Sequence, residues 1–426
     1  MKRLPLCFLL AFLSLGFVVP ADVTFGGEVY ALFGLSVPNV DGKEHAWKWT
    51  AGECGARFKV DASGGQASAH IEGKLCANSL YEDSDDKVCF DLTEAYCSYD
   101  GGWWSVKAGR QIEAWGAADG IAVTDVLCPS DQTSIFTSDY NDSHIGIDAI
   151  KLTASSETLS AQVFYIPVFT PAKLPLQNGN PLKKILISDS PLVADVSEDN
   201  LQEPDKEFRN GEFAIRLSAY LPFADVSLYG FYGWDDMPLI QYAMTSPFTL
   251  NLSGKYKKMS MFGVDASIPV GAFVLRLEGA VFPRRAVQTS AGSQLMEEEK
   301  SYLRRNTFAY LAGVDWMPAG WTITAQYYGD YVSGSIKHLD RKRYVHKATL
   351  SISRSFLGDT LTASVEGMAE FNDMSYAVMP SVEYAVSDEL KVKLGGNLFF
   401  PGPDEKGSLG QYEDLNSIVL RVTYNF

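Results

Sequence analysis

The chain has 426 residues, a formal charge of −16 from 36 basic and 52 acidic side chains, and a mean hydropathy of −0.05. The acidity excludes a nucleic-acid partner held through its phosphates, which calls for a basic face. Beyond the first twenty residues no apolar run approaches the ~20 residues a spanning helix needs, so a helical membrane protein is excluded as well.

Residues 1–21 open with Lys2-Arg3, continue through the apolar run Leu4 to Val19 and end on Val19-Pro20-Ala21. This reads as a secretory signal peptide, with no cysteine after it at a lipidation position. Its removal leaves residues 22–426 as one domain of 405 residues, which loses Lys2 and Arg3 and so carries −18. An exported chain with 12% aromatics, 36 glycines and 21 tyrosines suits an outer-membrane β-barrel. In such a barrel lipid-facing and lumen-facing residues alternate, so averages resemble those of a soluble protein.

Period-two alternation marks strands at 23–35, 46–61, 66–80, 87–98, 103–111, 143–154, 159–168, 211–221 and 225–234. It continues at 258–269, 272–283, 303–316, 321–332, 344–356, 360–370, 375–386, 389–400 and 412–426. The fold expected is an all-β, transmembrane antiparallel barrel of about 18 strands, with 16 as the alternative count. The even-numbered connections, such as Asp100-Gly101-Gly102, Pro318-Ala319-Gly320 and Leu357-Gly358-Asp359, are tight turns rich in Gly, Pro, Asp and Ser. Most odd-numbered ones are longer, notably 112–142, 169–210, 235–257 and 284–302. Bacterial barrels alternate short periplasmic turns with longer outer loops, which places both termini on the periplasmic side and makes 169–210 and 235–257 extracellular.

The faces follow. Phe273, Leu275, Leu277 and Val281 face lipid while Arg276 and Glu278 face the lumen; Phe213, Ile215, Leu217 and Leu221 point out, with Glu212, Arg216 and Ser218 inside. Leu361, Ala363 and Val365 alternate in the same way with Thr362, Ser364 and Glu366. Tyr327, Tyr331, Tyr376, Tyr384, Tyr424 and Trp316 supply the aromatic girdles. Pro380, in mid-strand, removes a ladder donor and predicts a bulge. The last strand stops on Phe426, the kind of C-terminal signal that barrel-assembly machinery reads.

One long stretch does not alternate. Segment 112–142 carries Ile121, Val123, Val126 and Leu127, which are poorly placed in open water. The expectation is a loop folded into the lumen, with Arg110, Glu113, Trp115, Asp119, Asp125 and Asp131 at the constriction. Its acids would face a basic wall of Arg57, Lys59, Lys74, Lys107, Arg216, Arg276, Lys347, Lys391, Lys393 and Arg421, and opposed charges across a constriction select solutes. Substituting Asp119 and Asp125 together would then shift ion selectivity. The competing reading is a surface loop whose acids are merely solvated.

Five cysteines remain after the leader: Cys54, Cys76, Cys89, Cys97 and Cys128. His70, Glu72, Lys74, Cys76 and Asn78 share a polar face of one strand, and Cys89, Asp91, Thr93 and Cys97 one of the next. The hairpin places Cys76 nearly opposite Cys89, within disulfide reach. Cys128 bonded to Cys97 or Cys89, or five free thiols, are the alternatives, and Cys54 falls on the lipid side. No spacing suggests a metal or a cofactor. Glu82, Asp83, Asp85 and Asp86 could bind Ca²⁺ but read better as a solvated loop. Ser143-His144 is set aside as a catalytic pair because neighbours on a strand point to opposite faces, and no enzyme is expected.

The run GRQIEAWGAADGIAVTDVLCPSD resembles the "GRQ…WG.ADG…D.L.P.D" segment of an uncharacterised family of proteobacterial outer-membrane barrels, grouped with specific porins and alginate-export-like channels. The end FFPGPDEKGSLGQYEDLNSIVLRVTYNF is similar too. The resemblance rests on about an eighth of the chain, makes Arg110, Trp115, Gly116, Asp119, Gly120, Asp125, Pro129 and Asp131 motif positions, and implies a channel in the bacterial outer membrane. Cys128 departs from it, standing where the family commonly has Asn. The function expected is passive diffusion of small polar or anionic solutes. The rivals are a hydrophobic-compound channel lined by the loop's apolar residues, and a closed barrel serving as a surface adhesin.

Overall fold

The structure, a computed structural model, describes residues 22–38, 47–118, 121, 123–135, 140–186, 196–246, 249–297, 299–403 and 407–426; the expected signal peptide at 1–21 lies outside them. Eighteen antiparallel strands form one closed sheet. In chain order they are β1 (Asp22–Ser36), β2 (Trp49–Gly64), β3 (Ala67–Asn78), β4 (Val88–Asp100), β5 (Trp104–Gln111), β6 (Ile147–Ser155), β7 (Leu159–Ile166), β8 (Glu212–Leu221) and β9 (Ala224–Trp234). Then follow β10 (Lys258–Val270), β11 (Phe273–Gln288), β12 (Tyr302–Trp316), β13 (Trp321–Val332), β14 (Tyr344–Phe356), β15 (Leu361–Glu370), β16 (Ser375–Ala385), β17 (Leu390–Phe400) and β18 (Ser417–Asn425). Each strand pairs with its neighbours in sequence, and β1 closes on β18 from Glu28↔Asn425 to Ser36↔Ser417. The backbones of Gly27 and Phe426 then exchange two hydrogen bonds of 3.0 Å, leaving no open edge there.

Every even-numbered connection is a turn of two to four residues, and the longer connections gather at the other end of the barrel. Alternation sorts the side chains as expected. Phe213, Ile215, Leu217, Phe273, Leu275 and Leu277 are exposed on the outer surface, while Glu212, Ser218 and Glu278 are buried inside. Rings cluster near the strand ends, as in the stack of Phe273 on Trp316 and of Tyr376 on Phe400.

Several local expectations need correction. Strand β6 begins at Ile147 rather than 143, so the inserted segment runs from 112 to 146. Strand β18 begins at Ser417 rather than 412: Glu413–Leu415 form a helical turn, and the Asn416 side chain accepts the Phe399 N–H at 2.6 Å. Strand β11 continues to Gln288 through a register shift between Phe282 and Arg285, which shortens the 284–302 loop. The loop at 235–257 is not irregular, because Leu239–Ser246 and Thr249–Lys255 pair as a hairpin beyond the barrel. At Pro380 there is no bulge. Its strand keeps register with β15 through Val365↔Pro380, and on the β17 side pairing lapses only between Val378↔Leu398 and Ser381↔Gly395. The missing proline donor costs a rung, not a residue.

A bulge occurs instead in β3–β4, between Glu72 and Gly73. It takes Thr93 out of the ladder and reverses the phase of β4, so Cys97 pairs with Ala69 rather than sharing a face with Cys89 and Asp91. Above the bulge Cys76 stands opposite Cys89, and a disulfide joins them with Cα atoms 5.2 Å apart.

Candidate functional site

Between β5 and β6 the chain leaves the wall and enters the lumen. Its apolar residues drive this. Trp115 is 4% exposed, packed edge-on to Phe164 with ring centroids 5.9 Å apart and tilted against Tyr229 at 5.0 Å. Val123, Leu127 and Cys128 join it against Ile147, Ile166, Met261 and Leu311 on the inner face of β6–β12. Burying a Val or Leu side chain contributes about 1.5–3 kcal/mol, so this contact is sufficient to hold the segment inside.

One carboxylate fixes its position. Glu278 Oε1 accepts the backbone N–H groups of Ala117 and Ala118 at 2.6 and 2.7 Å, and Oε2 accepts the N–H and hydroxyl of Thr124 at 3.3 and 3.2 Å. Only glycine fits at the centre of this grip. Gly116 has φ +93°, and a Cβ there would lie 2.6 Å from Glu278 Oε1. Beside it Arg276 donates to the Ala117 carbonyl and pairs with Asp315 at 2.6 Å. Glu278 belonged to the inward face read from the sequence, but nothing there marked it as the anchor.

The expected constriction residues separate. Glu113 is bound by Lys151 at 2.6 Å and Lys107 at 3.2 Å. Asp125 turns back into the loop, accepting the Trp115 N–H at 3.2 Å with His144 at 3.8 Å. Asp131 meets Lys173 of the next long loop at 3.8 Å. Arg110 pairs with Asp148, its neighbour across the sheet, at 3.0 and 2.8 Å, rather than with a loop acid. Asp119 lies outside the described residues.

Besides Glu113 at Lys107, a second loop acid reaches the basic wall, Asp142. It contacts Arg57 directly, with Lys74 at 3.6 Å and Arg421 at 3.9 Å. Sequence reasoning missed it because it was the last residue before the expected strand and carried no distinguishing pattern. Next to it the opposite-face argument fails: Ser143 ends the helical turn Tyr140–Ser143, and its hydroxyl lies 2.9 Å from His144 Nδ1. Of the remaining wall residues, Lys59 meets Glu72 at 3.1 Å and Lys347 meets Glu370 at 3.4 Å, while Arg216 lies over the Tyr229 ring.

The lumen is therefore two-sided. On β6–β12 the inward residues Ile147, Phe164, Met261 and Leu311 are sealed under the loop. On β14–β18 and β1–β3 the inward Lys391, Glu366 and Asp61 remain exposed. Over the mouth the next long loop folds back, where Leu182 packs on Ala377, Phe399 and Leu415 and Asn180 bonds the Thr133 carbonyl at 3.0 Å.

The profile of a family described as proteins of unknown function (DUF1302) matches residues 59–426. The chain belongs to the DUF1302 family. No curated protein matches it in sequence. Among solved structures this DUF1302 barrel is similar to Pseudomonas aeruginosa OccK9 (OpdG), at 10% identity over 95% of this chain and 98% of that one, with a TM-score of 0.53. It is similar to Acinetobacter baumannii OccAB3 at 10% identity over 95% and 99%, with a TM-score of 0.53. Pseudomonas aeruginosa OccK2 (OpdF) in complex with glucuronate gives 11% identity over 96% and 97%, with a TM-score of 0.52. These likenesses show the fold.

The cysteines of the DUF1302 barrel give a direct check. Cys128 is buried, and burial pushes its thiol up to about 12. N-ethylmaleimide at neutral pH is expected to leave Cys128 unlabelled in the folded protein and to label it after denaturation. Cys76 and Cys89 should label only after reduction; mass spectrometry finding all five of these cysteines modified without reductant would disprove the bridge.

Proposed function

We propose that the protein is an outer-membrane porin or substrate-specific channel through which small polar or anionic solutes diffuse past the inserted loop. The exposed apolar belt meets membrane lipid, and the turn-bearing end with both termini faces the periplasm. The 167–211 and 235–257 connections lie outside the cell. Residues 1–21 serve as the export signal, and the strand ending at Phe426 is the one the barrel-assembly machinery engages.

The observation that carries this reading is the two-sided lumen. Eighteen strands enclose more space than wall side chains fill, and the loop's apolar cluster packs on the β6–β12 side, with Asp142 reaching across to β2, β3 and β18. On the other half Lys391 and Lys393 stand on one strand, opposite Thr423 and Arg421. Most of the other bases are already matched to carboxylates, so these two lysines, with Glu383 opposite Lys393, are the bases that draw anions into the path. The glucuronate complex of the similarly folded OccK2 agrees with a carboxylate solute. A greasy path fits less well, because Trp115, Val123 and Leu127 are consumed by packing on the wall.

Planar-bilayer recording under a salt gradient tests the proposal. The wild type should conduct steadily, and Lys391→Glu with Lys393→Glu should move the reversal potential toward cation selectivity. An unchanged reversal potential would remove the lysine path. Absence of conductance would favour the adhesin reading, with the 239–255 hairpin as its working surface.

A further inference from the structure

We propose that His70, Glu72 and Glu94 form a lumen-wall binding site for a divalent transition metal, with Zn²⁺ the ion their chemistry fits. His70 and Glu72 lie two apart on β3 and so share a face, and the β-bulge sets Glu94 directly opposite Glu72. One ligand atom from each of the three lies within 4.8 Å of the others. Three protein ligands with a fourth position left for water is the arrangement of an open zinc site, and imidazole and carboxylate are both zinc ligands.

The surroundings aim these atoms at one point. His70 Nδ1 is 2.6 Å from Asp61 Oδ1, and its ring stacks on Tyr96 with centroids 5.2 Å apart. A carboxylate on one ring nitrogen fixes the tautomer and turns the other nitrogen's lone pair outward, as in the outer shell of most metal-bound histidines. That other nitrogen, Nε2, is buried and makes no hydrogen bond. It lies 4.0 Å from Glu72 Oε2 and 3.8 Å from Glu94 Oε2.

The carboxylates are held from behind. Glu72 Oε1 accepts from the Thr93 hydroxyl at 3.3 Å, and Glu94 Oε1 accepts the Ile112 N–H at 3.0 Å. Each acid thus uses one oxygen on the protein and turns the other toward His70. A lone pair facing two anionic oxygens is repulsive, and a cation between them converts that repulsion into three bonds. Zinc–ligand distances of about 2.0–2.2 Å require only a small inward movement of the glutamates.

The competitor for this position is Lys59, whose ammonium sits 3.1 Å from Glu72 Oε2. Its side chain is 42% exposed, so a bound metal displaces it into the lumen water. The site also touches the constriction, because Ile112, held by Glu94, is the first residue of the inserted segment. It does not depend on which solute passes.

Isothermal titration of the folded protein in detergent with ZnCl₂, after alkylation of free thiols, tests the site, with heat-shifted gel migration confirming that each variant is a closed barrel. One saturable equivalent is expected for the wild type. His70→Ala and Glu94→Gln should each weaken binding about 100-fold, and Asp61→Asn about 10–100-fold as an orienting partner. Lys59→Ala should tighten binding, a gain that mere damage to the wall would not produce. No saturable binding by the wild type, or an affinity unchanged in both Glu94→Gln and Lys59→Ala, would overturn the proposal.

Discussion

Replacing Glu278 with alanine is expected to release the inserted loop while leaving the barrel closed. The carboxylate accepts three backbone N–H groups and one hydroxyl from residues 117–124, and hydrogen bonds to charged groups contribute about 1.5–3 kcal/mol each. The substitution leaves those donors buried without an acceptor. Each buried donor left unsatisfied costs about 1–3 kcal/mol. The ladder of eighteen strands does not pass through this contact, so folding and the gel shift should survive. Single-channel conductance should rise, and a protease added to the folded protein should cut between 112 and 146. Gly116→Ala attacks the same grip from the other side, since its Cβ would meet Glu278 Oε1, and should give a similar phenotype. Wild-type conductance and protease resistance in both variants would refute the anchoring role.

The barrel was legible in the sequence because a closed sheet in a membrane leaves little freedom. Backbone pairing is obligatory there, and each strand must put apolar groups on one face, so Phe273, Leu275 and Leu277 declare the phase that places Arg276 and Glu278 inside. Turn length then gave the end of the barrel for every long loop. The strands flanking the 79–87 connection likewise put Cys76 nearly opposite Cys89, and the disulfide joins them.

The site was less legible, for a different reason. Which acid meets which base depends on the path of an irregular segment in three dimensions, and periodicity carries no information about it. Asp125 is spent on its own loop's backbone, whereas Asp142, five residues before β6, crosses to the wall. Where the error lay in a strand, it was one of phase. His70 and Glu72 were seen to share a face, but the bulge at Thr93 adds a residue to β4, and without it Glu94 reads as lying on the other side. A bulge has no strong sequence signature, so the third member of that cluster became visible only with the register.

Removing Asp142 should produce the largest change in selectivity. Its carboxylate is the loop's contribution to Arg57, Lys74 and Arg421, which also lean on Glu28, Glu72 and Glu53. Those wall acids remain in an Asp142→Ala variant, but the balance at the cluster shifts by one positive charge, and the 140–143 turn loses its hold on β2, β3 and β18. A pair of charges about 4 Å apart interacts by about 4 kcal/mol at an effective dielectric near 20, so three bases losing one partner is a substantial perturbation. The reversal potential should move toward anions, opposite to Lys391→Glu with Lys393→Glu, and the shift should be greater at low salt, where screening is weaker. Asp142→Asn separates charge from anchoring. It keeps an acceptor for Arg57 while removing the charge, so selectivity should change with little change in conductance, whereas the alanine variant should change both. Asp142 and Glu278 grip different parts of the loop through different contacts, so their conductance effects in a double variant should be close to additive in free energy. Selectivity unchanged in Asp142→Asn would mean that solutes do not pass this cluster, and the path would have to be sought elsewhere in the lumen.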